Sequence, residues 1–329
     1  MKKRQVGKSG PWADEVGFGA MSIAGAFGPA DAETAKKTLD RVFAMDRPLI
    51  DTALIYGPFI SETLIGEHLK KYPAARSKIV LATKGGIVPN PRGVNNSASF
   101  MRECLEASLR RLCVDHVDLY YVHRRDHSIP IEDVMETMTG FVKEGKIGGI
   151  GLSEISPATL VRANAVHHVA AVQNEYSLWT RLPELGLIQA CHRLGTALVA
   201  FSPVARGVLT TEGVDVANIA LADFRRKIPR FIEPDWTLNM KHVEAFKAFA
   251  RDNGWSPAAL AIAWVLAQAP HIIPIPGTRT VAHLEENLAA AHIKLTREHL
   301  DSIAEIMPVG WAHGNRYGTE QQGSAEQYC

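Results

Sequence analysis

Four side chains that can move or direct a proton stand at or just beyond the ends of three apolar segments. Asp51 ends the apolar part of PLIDT and Tyr56 follows it by five positions, while Lys84 closes KIVLATK and His123 closes VDLYYVH. A carboxyl, a phenol, an amine and an imidazole are groups that enzymes use for general acid–base catalysis. If the three segments are neighbouring strands, the four side chains can meet at one edge of a sheet.

Brought together, the four groups would form a proton donor. The phenol of a free tyrosine has a pKa of about 10, so it is a weak acid near neutral pH. A lysine cation beside a phenol favours the phenolate, and a carboxylate keeps that cation charged in a partly dry cleft. An imidazole can hydrogen-bond to a carbonyl oxygen and polarise it. We therefore predict Tyr56 as the acid, Lys84 and Asp51 as its tuning groups, and His123 as the group that orients a carbonyl.

Each residue also has an ordinary structural explanation. Asp51 could cap a loop, Lys84 could be solvated at the end of a strand, and His123 could be a structural histidine. These explanations stay open for each residue alone. A shared function explains all of them at once, because every one falls at a corresponding place in the pattern.

Eight short apolar runs recur along the chain. The predicted strands are residues 16–21, 48–52, 78–84, 117–123, 147–153, 169–176, 197–203 and 272–277. Several are almost unbroken in apolar residues, as expected for strands that are covered on both faces. Helical patterns separate the runs, and eight strand–helix repeats favour an α/β fold closed as a (β/α)8 TIM barrel.

The predicted helices have ordinary start and stop signals, with Asp31 as the N-cap of the first. They span residues 31–45, 61–72, 97–113, 130–145, 156–166, 183–195 and 256–269. The long gap before the eighth strand predicts an inserted loop over residues 204–238. Residues 296–307 predict an extra C-terminal helix, followed by an irregular tail over residues 308–329. No linker is evident, so we expect residues 1–329 to form a single domain.

Composition excludes several classes of partner. The 329 residues are 46% apolar and 22% charged with a net charge of +1, which favours neither nucleic acid nor a membrane surface. No apolar run approaches the roughly 20 residues of a membrane helix, and the basic start MKKRQVGKSG leads into no apolar signal region. The four cysteines show no metal-ligand spacing. We expect a cytoplasmic protein with no bound metal.

The usual dinucleotide-binding patterns are incomplete. GFGAMS at residues 17–22 and GIGLSE at residues 149–154 begin Gly-x-Gly but lack the third glycine of the Rossmann fingerprint. No Tyr-x-x-x-Lys pattern occurs. A nicotinamide cofactor, if one binds, must bind without a Rossmann domain.

In its motifs the sequence resembles the aldo-keto reductases, from about residue 2 to about residue 307. DTALIYG resembles the Asp-x-x-x-x-Tyr-Gly segment of that family, LATKGG its lysine strand and DLYYVHRRD its histidine strand. KIGGIGLSE, VQNEYSL, VAFSPVARGVLT and PIPGTRTVAHLEENL match later family segments in the same order. HRRDHSIPIED and NEYSLWTR are most similar to a branch of bacterial, fungal and plant reductases with broad aldehyde and ketone substrates.

The resemblance implies an NADPH site across the rim of a (β/α)8 barrel. Ser153 and Gln173 would hold the nicotinamide carboxamide, and Phe201 would stack on its ring. The pyrophosphate would be lined by Ser202, Val204, Arg206 and Gly207. The 2′-phosphate would meet Gly277, Thr278 and Arg279, and the adenine would lie near His283, Glu286 and Asn287.

Three positions depart from the family pattern. Glu154 stands where many members have asparagine, and His283 where some have arginine. Gly277 stands where some have lysine, which leaves Arg279 as the main cation for a 2′-phosphate. Because a guanidinium can bind a phosphate through two hydrogen bonds, we expect NADPH rather than NADH.

The resulting prediction is an NADPH-dependent oxidoreductase that reduces a small-molecule aldehyde or ketone to an alcohol. Two alternatives remain. One is a redox-sensing or regulatory module that binds NADPH with little turnover, and the other is an unrelated barrel lyase that uses Lys84 as a Schiff base. The physiological substrate and the oligomeric state are left open.

Overall fold

A computed structural model describes residues 1–28, 30–221, 223–319 and 323–328. Its central sheet has eight parallel strands: β1 Phe18–Gly19, β2 Leu49–Asp51, β3 Val80–Gly85, β4 Leu119–Val122, β5 Ile150–Ser153, β6 Val169–Glu175, β7 Ala197–Phe201 and β8 Ile272–Pro274. Each strand pairs with the next one along the chain. The backbone N–H groups of Gly17 and Gly19 donate to the carbonyls of Pro274 (2.9 Å) and Pro276 (3.1 Å), which joins the first strand to the last. The predicted (β/α)8 barrel is confirmed.

Helices cover the outside of the barrel. They are α1 Ala32–Phe43, α2 Ile60–Lys71, α3 Ala98–Leu112, α4 Ile131–Lys143, α5 Pro157–Val166, α6 Leu187–Leu194, α7 Asp235–Asp252, α8 Pro257–Gln268, α9 Val281–Leu288 and α10 Arg297–Ile306. The side chain of Asp31 caps α1 by accepting from the backbone N–H of Thr34 (2.7 Å), as predicted. Within the described residues, no helix is both long enough and apolar enough to cross a membrane.

Two predicted boundaries are wrong. Helix α6 is shorter than residues 183–195, because Gly186 adopts a left-handed φ of 104° and separates the helix from the 3-10 turn Leu182–Glu184. The inserted loop ends before residue 235 rather than at residue 238, since α7 begins at Asp235. Pro234 is the N-cap residue of α7, where the missing N–H of proline removes no helical hydrogen bond.

An antiparallel hairpin, Lys3–Gln5 paired with Trp12–Asp14, covers the N-terminal end of the barrel. Val6 and Ala13 pack in the same buried cluster as inward-facing strand residues such as Leu49. A second hairpin, Ile87–Pro89 paired with Arg92–Val94, follows β3 at the opposite end. One end of the barrel is therefore sealed by apolar packing, and the other carries the loops.

Candidate active site

The register of three neighbouring strands brings Asp51, Lys84 and His123 to the inside of the barrel. Asp51 is paired with Ala82, and Lys84 is two residues beyond Ala82 on the same face of β3. Lys84 is in turn paired with Tyr121, and His123 is two residues beyond Tyr121. The three side chains therefore follow one another around the C-terminal rim.

Lys84 is the centre of this group. Its Nζ donates to a carboxylate oxygen of Asp51, to the carbonyl of Thr52 (2.8 Å) and to the hydroxyl of Tyr56 (3.1 Å). Lys84 is fully buried and Asp51 is 1% exposed. Burial alone would lower the pKa of Lys84, but Asp51 and Tyr56, through their charges and their hydrogen bonds, together outweigh burial and the pKa is raised. The ammonium therefore stays charged near neutral pH and has all three of its N–H groups in use.

Tyr56 lies on the short loop between β2 and α2. The backbone N–H of Tyr56 donates to the carbonyl of Ala53 (3.1 Å), and its carbonyl accepts from the N–H of Ser61 (3.2 Å). The half-buried ring of Tyr56 meets His123 edge to face, with ring centroids 5.9 Å apart and planes at 84°. The loop thus presents the phenol between the ammonium of Lys84 and the imidazole of His123.

His123 is buried and uncharged. Burial lowers its pKa well below the ordinary value, and the neighbouring cations of Arg124, Lys84 and Arg92 lower it further. Its Nδ1 is buried and has no hydrogen-bond partner within the described part of the chain. A neutral imidazole has a single N–H, which suits it to donate a hydrogen bond rather than to release a proton.

Ser153 and Gln173 lie beside this group, at the ends of β5 and β6. The amide of Gln173 donates to the second carboxylate oxygen of Asp51 (2.8 Å), and Ser153 Oγ donates to the carbonyl of Gln173 (2.9 Å). Arg124, which the prediction missed, donates to the carbonyl of His123 (2.6 Å) and to Ser153 Oγ (3.1 Å). In the structure these polar groups bind one another, and their predicted role toward a carboxamide stays a prediction.

The loop after β7 has an unusual backbone. Ser202, Ala205 and Arg206 have φ values of 54°, 52° and 57°, and Gly207 has a φ of 96°. A left-handed conformation costs a residue with a side chain about 1–3 kcal/mol, and such residues cluster at functional sites. Of the two other residues predicted here, Phe201 is half-buried and Val204 is buried. The residue types of Ser202, Ala205 and Arg206 do not predict a left-handed backbone.

Arg206 is buried and bound to Glu175, a contact that the sequence did not suggest. Its Nη2 donates to Glu175 Oε2 (2.7 Å), while its Nη1 is buried and unpartnered within the described residues. Burial alone would raise the pKa of Glu175, but the charges of Arg206, Arg316 and Arg230 lower it to about 2. An N–H left unpaired in a buried position is suited to an incoming acceptor.

The end of β8 approaches the loop that follows β1. A side chain at Gly277 would place its Cβ 2.8 Å from Ser22 Oγ and 2.9 Å from the carbonyl of Gly19, so only glycine fits. This backbone therefore has no room for a lysine side chain at position 277. Arg279 donates to the carbonyls of Phe27 (3.2 Å) and Gly28 (3.3 Å).

Two of the remaining residues predicted near the cofactor, His283 and Glu286, contact the loop after β7. His283 Nε2 lies 3.7 Å from a carboxylate oxygen of Glu212, and Glu286 accepts from the hydroxyl of Thr211 (3.2 Å). Thr278 and Asn287 are buried. The structure thus brings α9 and this loop together. A cofactor site lined by both elements requires such an arrangement.

The described part of the C-terminal tail contacts the same rim. Arg316 donates to Glu154, and the hydroxyl of Tyr317 accepts from Arg124 (3.2 Å). Glu154 also accepts from the backbone N–H of Glu175 (2.9 Å). The unexpected acid at position 154 therefore has two partners, and no local sequence signal could have linked it to the tail.

Known proteins resemble this chain over most of its length. The model of the aldo/keto reductase family matches residues 15–308. A probable aldo-keto reductase of Glycine max is 38% identical, over 95% of this chain and 91% of that protein. A Schizosaccharomyces pombe aldo-keto reductase whose name specifies NADP(+) is 37% identical, over 92% of this chain and 91% of that protein.

The fold has solved counterparts. The glycerol dehydrogenase of Gluconobacter oxydans superposes with a TM-score of 0.81 at 25% identity, covering 92% of this chain and 94% of that one. An aldo-keto reductase of Bacillus halodurans in its holo form gives a TM-score of 0.76 at 25% identity, covering 94% and 97%. With its barrel, its rim residues and these relatives, the chain belongs to the aldo/keto reductase family.

Proposed function

We propose that this protein is an NADPH-dependent reductase of aldehydes or ketones, in which Tyr56 is the general acid. The observation that carries the proposal is the buried ammonium of Lys84, which contacts both Asp51 and the hydroxyl of Tyr56 (3.1 Å). NADPH, when bound, supplies the hydride for the carbonyl carbon. Membership of the family supports an oxidoreductase, and the geometry supports the assignment of the proton donor.

The proton has a defined route in this arrangement. Tyr56 gives the hydroxyl proton to the oxygen of the substrate, and the phenolate that remains lies beside Lys84. Asp51 keeps Lys84 charged, so the ammonium can stabilise that negative charge. The neutral imidazole of His123 donates a hydrogen bond to the same oxygen and orients it.

The residues of the rim fit the phosphates of a dinucleotide. Arg206 has a buried Nη1 without a partner in the described residues, next to a left-handed stretch of backbone. The name of the Schizosaccharomyces pombe relative specifies NADP(+). We infer that Arg206 and its loop hold the pyrophosphate and that Arg279 favours the 2′-phosphate of NADPH over NADH. Ser153 and Gln173 would hold the carboxamide.

A kinetic experiment tests the general acid. The wild-type protein should oxidise NADPH when given 4-nitrobenzaldehyde, and Tyr56→Phe should lose about 10²–10⁴-fold in kcat, the usual contribution of an acid–base group. NADPH binding, measured by quenching of tryptophan fluorescence, should stay within about twofold, because the hydroxyl contributes to proton transfer rather than to cofactor affinity.

Tyr72→Phe is the matched control, since Tyr72 is exposed and lies at the C-terminal end of α2, the end away from the loop of Tyr56. Near wild-type turnover by Tyr56→Phe would show that the proton donor is wrongly assigned. NADPH binding without turnover of any carbonyl in a broad panel would favour the redox-sensing alternative.

Arg279→Gln tests the choice of cofactor. The change should weaken NADPH binding by about 10-fold or more, since a hydrogen bond to a charged group contributes about 1.5–3 kcal/mol, and it should leave NADH binding unchanged. Equal weakening of both cofactors in a fluorescence titration would contradict a role at the 2′-phosphate.

A further inference from the structure

The C-terminal strap, defined as residues 311–319 and 323–328, lies across the ends of β5 and β6. Arg316 donates to Glu154 and to Glu175 Oε2 (3.3 Å). The hydroxyl of Tyr328 accepts from the side-chain amide of Asn174 (2.9 Å). The strap therefore binds three rim residues, Glu154, Asn174 and Glu175, which adjoin the predicted nicotinamide residues Ser153 and Gln173, although it is far from them in sequence.

The strap is also fastened outside the rim. Trp311 Nε1 donates to the carbonyl of Leu178 (2.8 Å). At the other end, the carboxylate of Glu326 accepts from Arg125 (2.7 Å) and from the backbone N–H of Ser156 at the start of α5 (2.8 Å). Contacts at both ends hold the middle of the strap, with Arg316 and Tyr317, over the site.

Positive charge is in excess where the strap meets the rim. Glu154 and Glu175 are buried, and the charges of Arg206, Arg230 and Arg316 all act on Glu175. Three buried or nearly buried cations thus share two carboxylates. A cation in a low-dielectric position needs a counter-charge, so this cluster is suited to receive an anion.

Tyr317 links the strap to Arg206. The ring of Tyr317 lies 4.8 Å from the guanidinium of Arg206 and 4.8 Å from that of Arg316. The negative face of an aromatic ring attracts a guanidinium group that lies against it. Arg206 is therefore held by Glu175 on one side and by the strap on another, with Nη1 left unpaired.

We propose that the C-terminal strap is part of the cofactor site, and that Arg316 and Tyr317 position Arg206 so that its unpaired N–H meets a phosphate of NADPH. Docking of the strap and binding of the cofactor then stabilise each other. The acid at position 154 has its role here, because it receives Arg316. This inference rests on the proposed function, and Arg316 is a positioning residue that acts through Arg206.

Thermodynamic reciprocity gives a test with two independent measurements. If a docked strap favours NADPH, then NADPH must favour the docked strap by the same factor. Hydrogen–deuterium exchange of the full-length wild-type protein should therefore slow in peptides from residues 311–319 and 323–328 when NADPH saturates the site. Unchanged or faster exchange in these peptides would overturn the proposal.

Arg316→Gln should raise the Kd for NADPH by about tenfold, within the usual range of coupling between sites. At saturating NADPH, the fold decrease in kcat should be smaller than the fold increase in Kd, because Arg316 touches no reacting atom. Arg316→Lys, which keeps the charge, should recover part of the affinity. Arg162→Gln is the matched control, because Arg162 pairs with Glu132 on the exposed surface (2.8 Å).

Arg316→Gln leaves Glu154 without its cation and could unfold the protein. The double variant Glu154→Gln/Arg316→Gln removes both charges, so it leaves no uncompensated carboxylate and allows the Kd to be measured on folded protein. Its Kd should also rise, because Arg206 loses the same support. An NADPH Kd within twofold of wild type in both folded variants would overturn the proposal. Absence of NADPH binding by the wild-type protein would overturn the proposed function and this inference together, whereas wild-type binding with an unresponsive strap would overturn this inference alone.

Discussion

Two largely buried arginines at opposite ends of the barrel have contrasting surroundings. At the N-terminal end, Arg4 donates to the carbonyls of Leu266 (2.8 Å), Ala269 (2.7 Å) and Ile272 (2.6 Å). At the C-terminal rim, Arg206 donates to Glu175 and keeps one buried N–H unpaired within the described residues. Arg4 therefore makes hydrogen bonds to three backbone carbonyls, whereas Arg206 has a buried Nη1 that makes none within the described residues.

The difference separates stability from function. Arg4 donates to carbonyls at the end of α8 and the start of β8, and so links these two elements with a charged donor. At the rim, Arg206, Arg230 and Arg316 share the carboxylates of Glu154 and Glu175. Ser202, Ala205 and Arg206 also have a left-handed backbone there. Such features lower stability and persist where a ligand needs them.

The largest effect is expected from Lys84→Met at the rim, which should lower both the free energy of unfolding and kcat. Removing one partner of a buried ion pair leaves the other uncompensated and costs about 3–5 kcal/mol. Loss of the ammonium beside Tyr56 should also reduce kcat by about 100-fold or more. Urea unfolding and steady-state kinetics measure the two losses separately.

A neutral double variant separates those two losses. Asp51→Asn/Lys84→Met removes both charges, so most of the stability should return while the activity does not. Recovery of activity in the double variant would mean that the ion pair holds the fold and has no part in proton transfer.

A smaller effect is expected from the acid titration of Glu175. Its pKa is about 2 in the folded protein against an ordinary value of 4.5. Because the folded pKa is depressed, Glu175 contributes stability above pH 4.5, and that contribution is lost as the pH falls from 4.5 toward 2. At about 1.4 kcal/mol per pKa unit, the loss is about 3 kcal/mol.

Glu175→Gln should reveal this contribution in urea unfolding at a series of pH values. The wild-type protein should be the more stable above pH 4.5, and the gap between the two proteins should shrink between pH 4.5 and pH 2. A gap that is independent of pH across this window would show that the carboxylate is not stabilised by the three arginines.

The smallest effect is expected from Arg4→Met at the sealed end of the barrel. Three carbonyls lose a charged donor, so unfolding should become easier by about 2 kcal/mol. Activity per folded molecule should not change, because nothing at that end touches the rim. A changed kcat or NADPH Kd at a temperature where the variant is fully folded would contradict the division between the two ends.

Strand positions and part of the site follow from local patterns. The run that ends at Asp51, the run that ends at Lys84 and the run that ends at His123 each show where a buried strand stops, and parallel pairing then brings the ends to one rim. Boundaries were less accurate. Gly186 shortened the helix predicted over residues 183–195, and Pro234 lies at the start of α7 rather than inside a loop.

By itself, the sequence determined the eight-fold barrel and the identity of the four rim groups, Asp51, Tyr56, Lys84 and His123, because both depend on residue types and on spacing along a strand. Only the tertiary structure decided that Arg316 would meet Glu154, which is 162 positions away, and that Arg206 would bind Glu175. Periodicity reports on which face of an element is buried and carries no information about which distant side chain will lie beside it. Contacts of that kind depend on the closed shape of the barrel and on the path of the tail across its rim.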